Sequence, residues 1–320
     1  MKLLIVIVNY RTADLTIDAL ASVEPELASV APARVIVVDN CSADGSADRI
    51  DAAITARGWG GWAMLLRAER NGGFAYGNNR GVERAFALWP KPAYVHLLNP
   101  DTVVRAGGLA ALVKFMDGNP NIGIGGSRLE DPDGTPQASA FRFPGVLSEL
   151  DHAVQLGVLT RVLSRWVSAA PITDQPCPTD WVAGASMIIR RQVLEAIGLL
   201  DERYFMYFEE VAFIRRALSA GWPCWYVPTS RVVHLVGQAS GVTDPRQSRR
   251  RRPDYWFESR RRYLLTNLGP GRAAIADLAH LLGLVAWRAR CLIEGKADNT
   301  PAHLLADSLR HSVFAKGFTS

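Results

Sequence analysis

Acidic side chains stand at the ends of three apolar segments, where carboxylates can do chemistry. Asp101 follows the apolar run of "LLNPDTVV" (97–104), at a corner that Pro100 fixes. It can cap a turn, because Asn and Asp side chains fold back onto nearby backbone. It can also be an acid held at the carboxyl end of a sheet, where open α/β folds bind ligands. Asp39 ends the apolar part of "VIVVDNCSADGS" (35–46) in the same way. It can accept from a base or ribose hydroxyl, or cap the next helix, while Asn40, Ser42, Asp44 and Gly45 serve the turn. Glu209 and Glu210 in "YFMYFEEVAF" (204–213) fall at a predicted helix start behind an aromatic cluster. Acids there complement the helix dipole. A carboxylate beside apolar rings can also have a raised pKa, which suits a general base. His234, in "RVVHLVG", closes a short predicted strand, and a lone His is more often structural than a ligand. Met206 and its aromatic neighbours read as core or pocket wall.

The elements that must position these groups are legible as well. "LLIVIV" (3–8) and "RVIVVDN" (34–40) are β-branched and apolar on both faces, as parallel strands covered by helices are. With "MLL" (64–66), "YVHLLN" (94–99), a helical spacing at Leu15, Ala19, Leu20 and Val23, and a helix near 76–88, the first part reads as a doubly wound sheet. The stretch 125–180 is rich in Pro, Gly and Ser. Beyond it lie the predicted strand "WVAGASMIIRR" (181–191), a helix over 208–221, and strands "WYVP" and "RVVHL". "NGGFAYGNNRG" (71–81) is a glycine-rich entry to a helix, where backbone can approach a phosphate closely. It is neither G-x-G-x-x-G nor a Walker loop, so no dinucleotide fold or P-loop is implied.

The 320 residues, 48% apolar with net charge +5, are those of a globular chain suited to acidic ligands, phosphates or an anionic membrane surface. Four scattered cysteines lack metal or disulfide spacing, which points to a reducing cytosol. "MKLLIVIVNY" is too short to span a bilayer and reads as a buried strand. The arginine run 249–252 has aromatics nearby, but no RNA or DNA module accompanies it, so no nucleic-acid partner is expected.

In order along the chain, "VIVNYRTADL", "VVDNCSADGS", "NGGFAYGNNRG", "LLNPDTVV", "WVAGASMIIRR", "LDERYFMYFEEVAFIRRALSAGW" and "VVHLVGQASG" resemble the inverting family-two glycosyltransferases of the GT-A fold, in their bacterial rhamnosyltransferase-like branch. The resemblance covers residues 3 to 270. It implies a Rossmann-like, doubly wound mixed sheet with helices on both faces. The expected GT-A domain is 1–242, with a nucleotide-binding half 1–125 and an acceptor half 126–242, followed by a basic and helical extension over 243–320.

The resemblance also assigns roles. Asp101 matches the acid that holds Mg²⁺ or Mn²⁺ against a nucleotide diphosphate, Asn99 fills the degenerate position of that motif, and His234 matches a further metal or diphosphate ligand. Val8, Asn9, Tyr10, Arg11 and Asp39 match the nucleotide-sugar site, and Asn71, Gly72, Phe74 and Asn79 the glycine-rich donor loop. Trp181, Gly184 and Ala185 match a segment lining the sugar and acceptor cleft. Of the acidic pair, Glu210 matches the base and Glu209 is the reserve choice. The implied reaction moves rhamnose from dTDP-rhamnose to a saccharide or lipid-linked saccharide acceptor in cell-surface polysaccharide synthesis.

One departure is Ala212, where the branch usually carries another acid. A catalytically impaired nucleotide-sugar-binding protein is therefore a rival reading, as is a donor such as UDP-galactofuranose, UDP-glucose or UDP-N-acetylglucosamine. A nucleotidyltransferase would need a glycine-rich loop straight after the first strand, where "VNYRTADL" has none. The apolar helix 273–295, with Leu278, Leu281, Leu282, Leu284 and Val285, can pack on its own domain, form a homodimer, or lie peripherally on the inner face of the cell membrane.

Overall fold

The computed structural model describes residues 1–235 and 250–319. Arg249 of the arginine run, and "VVHLVGQASG" from Val236 onward, lie outside the described residues. The described chain forms two compact units. One comprises residues 1–141, 171–205 and 209–235, the other residues 142–170, 206–208 and 250–319.

The first unit is built on a mixed sheet. Its strands are β1 (Leu3–Asn9), β2 (Ala33–Asp39), β3 (Ala63–Arg67), β4 (Tyr94–Leu98), β5 (Thr102–Val104), β6 (Ile124–Glu130), β7 (Ala140–Phe141), β8 (Cys177–Thr179), β9 (Trp181–Val182), β10 (Ser186–Arg190) and β11 (Cys224–His234). The order is β3-β2-β1-β4-β10-β6-β11-β5, with β8 beside β11, while β7 and β9 pair separately. The neighbours β3, β2, β1 and β4 run parallel, in register Asn9 to Asp39, so their carboxyl ends share one edge. β10 runs antiparallel between β4 and β6. Every residue of β4 and β10 is buried, the polar His96, Ser186 and Arg190 included.

Helices lie on both sides of this sheet. They are α1 (Ala13–Val23), α2 (Ser46–Ala56), α3 (Gly73–Leu88), α4 (Gly108–Gly118), α7 (Arg191–Ile197) and α8 (Glu209–Ser219). α3 approaches β1 very closely: a methyl on Gly77 would come within 2.6 Å of the Val8 side chain, and one on Gly81 within 2.6 Å of Val6.

Two segments differ from expectation. "WVAGASMIIRR" is two strands, β9 and β10, broken by a turn at 183–185. "WYVP" and "RVVHL" are one strand, β11, whose register shifts between Val227 and Arg231. Pro228 falls in that irregularity, where a missing N–H is tolerated.

The second unit is helical: α5 (Val146–Val154), α6 (Gly157–Val162), α9 (Asp254–Leu268), α10 (Pro270–Glu294), α11 (Leu304–Arg310) and α12 (Val313–Lys316). α10 packs chiefly on α5, where a methyl on Gly283 would meet the Ala153 side chain at 2.6 Å. Leu284 is buried with Ala153, Phe257 and Leu304, so this part of the helix packs on its own unit. Among the described residues, no helix is long and apolar enough to cross a membrane.

Candidate active site

The carboxyl ends of β1 and β2 are tied together by side chains. Asn9 Nδ2 donates to Asp39 Oδ1 at 2.7 Å and to Ser42 Oγ at 3.2 Å, and Ser42 Oγ donates to Asp39 Oδ1 at 2.6 Å. Asn9 Oδ1 accepts from the Thr12 backbone and hydroxyl and from the Thr16 hydroxyl. Asn9 and Asp39 are almost wholly buried, and these bonds fix the two loops to each other. Arg11 is held by Ser42, takes a left-handed backbone (φ 59°), and lies over the Tyr10 ring at 5.1 Å. Tyr10 and Arg11 are the exposed members of this edge, while Val8 packs under α3.

The glycine-rich loop opens α3 beside them. Asn71 Oδ1 accepts from Asn40 Nδ2 at 3.0 Å and from the Gly73 N–H at 3.1 Å, which closes the turn. Gly73 has φ 82°, and a Cβ there would collide with the Phe205 carbonyl at 1.7 Å, so only glycine fits. A Cβ on Gly72 would strike the Tyr76 ring. The Phe74 N–H donates to the same Phe205 carbonyl at 2.9 Å. Asn79, matched to the donor loop by resemblance, spends its amide elsewhere. It donates to the Leu200 carbonyl and Glu202 Oε1 at 2.9 Å each, and accepts from the Leu200 N–H at 3.1 Å. It is a staple between α3 and the segment leading to the glutamate pair.

The "NPD" corner follows β4. β5 pairs with β11 so that Thr102 faces His234. That register brings the His234 Nε2 within 3.5 Å of Asp101 Oδ1, with the Asp101 side chain 2% exposed and that of His234 16%. The Asn99 N–H donates to the Ala185 carbonyl at 2.9 Å. The adjacent Gly184 lies against both Phe74 and Glu210: a methyl on it would sit 3.3 Å from the Phe74 ring and 3.7 Å from the Glu210 Cβ. The turn 183–185 thus joins the aspartate corner to the glutamate pair. Trp181 stands at its start, stacked on Phe141 with ring centroids 4.3 Å apart.

Glu209 and Glu210 are the first two residues of α8. Tyr207 and Phe208 before them both take left-handed backbone, φ 70° and 67°. Bulky residues seldom adopt that conformation, which costs on the order of 1–3 kcal/mol each and marks sites where geometry is imposed. Glu209 is buried and Glu210 keeps a partly exposed edge. Among the described residues, the Oε2 of neither accepts a hydrogen bond. Burial, and then the neighbouring Glu210 charge, push the Glu209 pKa well above the carboxylate range. Burial pushes Glu210 up to about 7, against the pull of the Glu210 and Val211 N–H groups at the helix start. Burial thus shifts both adjacent acids toward the protonated form, and Glu209 is pushed further by its neighbour's charge.

The aspartate corner fits a divalent cation shared with a ligand. Among the described residues no cluster of three His, Cys, Asp or Glu groups forms a closed metal cage. Asp101 and His234 offer one carboxylate and one imidazole side by side. Mg²⁺ and Mn²⁺ commonly take one or two protein ligands and complete their shell with phosphate oxygens and water.

The sequence profile of Glycosyl transferase family 2 matches residues 4–167. The chain belongs to that family. It is 29% identical over 225 residues to an N-acetylglucosaminyl-diphospho-decaprenol L-rhamnosyltransferase of Mycobacterium tuberculosis, covering 67% of this chain and 70% of the relative. It is 25% identical over 172 residues to the rhamnosyltransferase WbbL of Escherichia coli K12, covering 52% of this chain and 62% of that protein. Its fold resembles that of the mannosyltransferase PcManGT from Pyrobaculum calidifontis, solved with GDP-Man and Mn²⁺, with a TM-score of 0.59 at 14% identity over 99% of this chain and 83% of that one. The fold is GT-A-like, and the protein is a family-two glycosyltransferase.

Several residues that build this glycosyltransferase site are silent in the sequence. Ser42 binds Asn9, Arg11 and Asp39 together, though its position suggested only a turn. Asn40 donates to Asn71 and to the Gly73 carbonyl, coupling the second strand to the glycine loop. Beneath the corner a buried chain runs from His96 Nε2 to Ser186, Ser127 and Ser230 at 2.9, 2.7 and 2.8 Å. Scattered serines in apolar strands give no signal; only the pairing of β4, β10, β6 and β11 assembles them.

Proposed function

We propose that this glycosyltransferase is an inverting rhamnosyltransferase, using dTDP-rhamnose and a saccharide or lipid-linked saccharide acceptor in cell-surface polysaccharide synthesis at the cytoplasmic side of the membrane. Two rhamnosyltransferase relatives support the sugar, and the first acts, by its name, on a diphospho-decaprenol-linked N-acetylglucosamine. The observation that carries the mechanism is the linkage through Gly184 and Ala185, which holds Glu210 and the aspartate corner to one turn.

In this reading the acceptor hydroxyl attacks the anomeric carbon from the face opposite the nucleotide diphosphate. Glu210 takes the hydroxyl proton as the new C–O bond forms and the bond to the diphosphate breaks. Burial and the Glu210 charge both disfavour ionisation of Glu209, which opposes a second negative charge beside the base. Asp101 and His234 would hold Mg²⁺ or Mn²⁺, which offsets charge on the departing diphosphate when bound. Tyr10 and Arg11 line the nucleotide edge, with Val8, Asn9 and Asp39 as its scaffold. Asn71, Gly72 and Phe74 bring loop backbone toward the donor, and Asn99 sets the corner. Trp181, Gly184 and Ala185 form the wall of the sugar and acceptor cleft.

Ala212 lies on the buried face of α8, so an acid there would have been desolvated too. Its absence leaves Glu209 and Glu210 as the carboxylates of this helix start. The test is a donor screen with dTDP-rhamnose, UDP-galactofuranose, UDP-glucose and UDP-N-acetylglucosamine, each with Mn²⁺, Mg²⁺ or chelator, on a synthetic polyprenyl-diphosphate-linked N-acetylglucosamine. Metal-dependent rhamnosyl transfer is expected. Transfer of another sugar would replace the donor assignment, and nucleotide binding without transfer would favour the impaired binder.

A further inference from the structure

The helical unit is turned inside out in one respect. α10 directs two polar side chains inward along its middle: Asp277 and His280 are each 2% exposed. Arg260 Nη1 donates to Asp277 Oδ1 at 2.5 Å, Arg260 Nε and Nη2 donate to Glu149 Oε2 at 3.0 and 2.7 Å, and His280 Nδ1 lies 3.3 Å from that same oxygen. Burial alone would raise the Glu149 pKa; the Arg260 guanidinium outweighs it and holds the carboxyl well below its usual range.

The outer face of the same helix is apolar. Ile275, Leu278, Leu282 and Val285, at helical spacing, are 56%, 49%, 58% and 52% exposed. A water-facing helix has the opposite arrangement. Of 17 exposed large apolar side chains among the described residues, 13 belong to this helical unit and four to the larger unit, so the bias follows the unit and not the chain.

Charge is divided along the same line. The described residues of the helical unit carry 15 Lys and Arg against eight Asp and Glu, a formal +7, while those of the sheet unit carry 19 against 22. Cations accompany the apolar positions. Exposed Arg272 precedes Ile275 by one helical step, Arg310 adjoins exposed Leu309, and Lys316 follows exposed Phe314 closely. Apolar side chains bordered by long basic ones match the boundary of a bilayer, where acyl chains take the former and headgroups the latter. A second copy would oppose +7 to +7, whereas an anionic lipid surface complements it.

We propose that the helical unit docks on an anionic lipid bilayer through the outer face of α10. This does not depend on which sugar is transferred. The test is co-sedimentation of the full chain with vesicles of phosphatidylcholine alone, or of equimolar phosphatidylcholine and phosphatidylglycerol, at low and high salt. The chain is expected to sediment with the anionic vesicles and to be released by salt. Leu278→Ser with Leu282→Ser should lower partitioning about tenfold or more, since both side chains lose their apolar burial. Arg272→Gln with Arg310→Gln should weaken binding at low salt and flatten the salt dependence. All four positions are exposed, and circular dichroism checks that each variant remains folded. A wild-type chain that stays in the supernatant with anionic vesicles overturns the proposal. So do leucine variants that bind as the wild type does, and so does a chain that dimerises through this face in ultracentrifugation and leaves vesicles untouched.

Discussion

Replacing Glu210 with Gln keeps the shape of the side chain and removes its basicity. Transfer should slow by roughly 10²–10⁴-fold, the range for a positioned general base, while nucleotide binding persists. The ionisation of Glu210 makes a second, independent mark. Burial pushes its pKa up to about 7, from an ordinary carboxylate value of 4.5. The active form is the carboxylate, so wild-type turnover should fall as pH drops through 7, by about tenfold between pH 8 and pH 6 if this group alone controls it. The same shift bears on stability with the opposite sense. A raised carboxylate pKa costs the fold nothing while both states are protonated, below about 4.5. Its cost then grows as pH rises through 7, toward an upper bound of about 3 kcal/mol, reduced by what water recovers at the partly exposed edge. Glu210→Gln should therefore be more stable than wild type at pH 8 and no more stable at pH 4. Initial rates with saturating donor and thermal melts at both pH values measure the two effects. A Glu210→Gln enzyme that retains wild-type turnover, with Glu209→Gln inactive, would refute the assignment of the base. A melt with no pH-dependent gain would refute the desolvation behind it.

Three other substitutions probe the supports. Asp101→Asn should abolish transfer and weaken nucleotide-diphosphate affinity only when Mn²⁺ is present, as titration calorimetry with and without the ion would show. Asn79→Ala breaks the three bonds to Leu200 and Glu202; it should cost about 1–3 kcal/mol in chemical denaturation, because the Leu200 backbone groups are left unpaired. Glu149→Gln strips the main partner from buried Arg260 and should destabilise by about 3–5 kcal/mol, read by the same denaturation experiment at neutral pH.

The sequence carried the parallel half of the sheet plainly, because β1, β2 and β4 are buried on both faces and so leave unbroken apolar runs. It carried α8 as well, through its acidic start and the glycine after its end. It could not carry the place of β10, since an antiparallel insertion between β4 and β6 is decided by tertiary pairing and not by local pattern. α5 and α6 were hidden in a stretch whose Pro, Gly and Ser content resembles loop. The same division holds at the site. Asp101, His234, Glu209 and Glu210 were visible as residue types at element ends, but their mutual placement depends on the β5–β11 register and on the turn at Gly184. Asn9, Asp39 and Asn79 look alike in a motif whether or not they also brace a loop; only the hydrogen bonds show the bracing. The apolar spacing of α10 was readable, but not its direction: Leu284 turned inward, and Leu278 and Leu282 outward, because Asp277 and His280 are claimed by Arg260 and Glu149.

The most direct measurement of the central claim is the anomeric configuration of the glycoside formed from dTDP-rhamnose, read from the one-bond carbon–hydrogen coupling at the new anomeric centre. A single displacement with Glu210 as base predicts a product of opposite configuration to the donor. A product that retains the donor's configuration would require a second displacement or a front-face path, and would contradict the account.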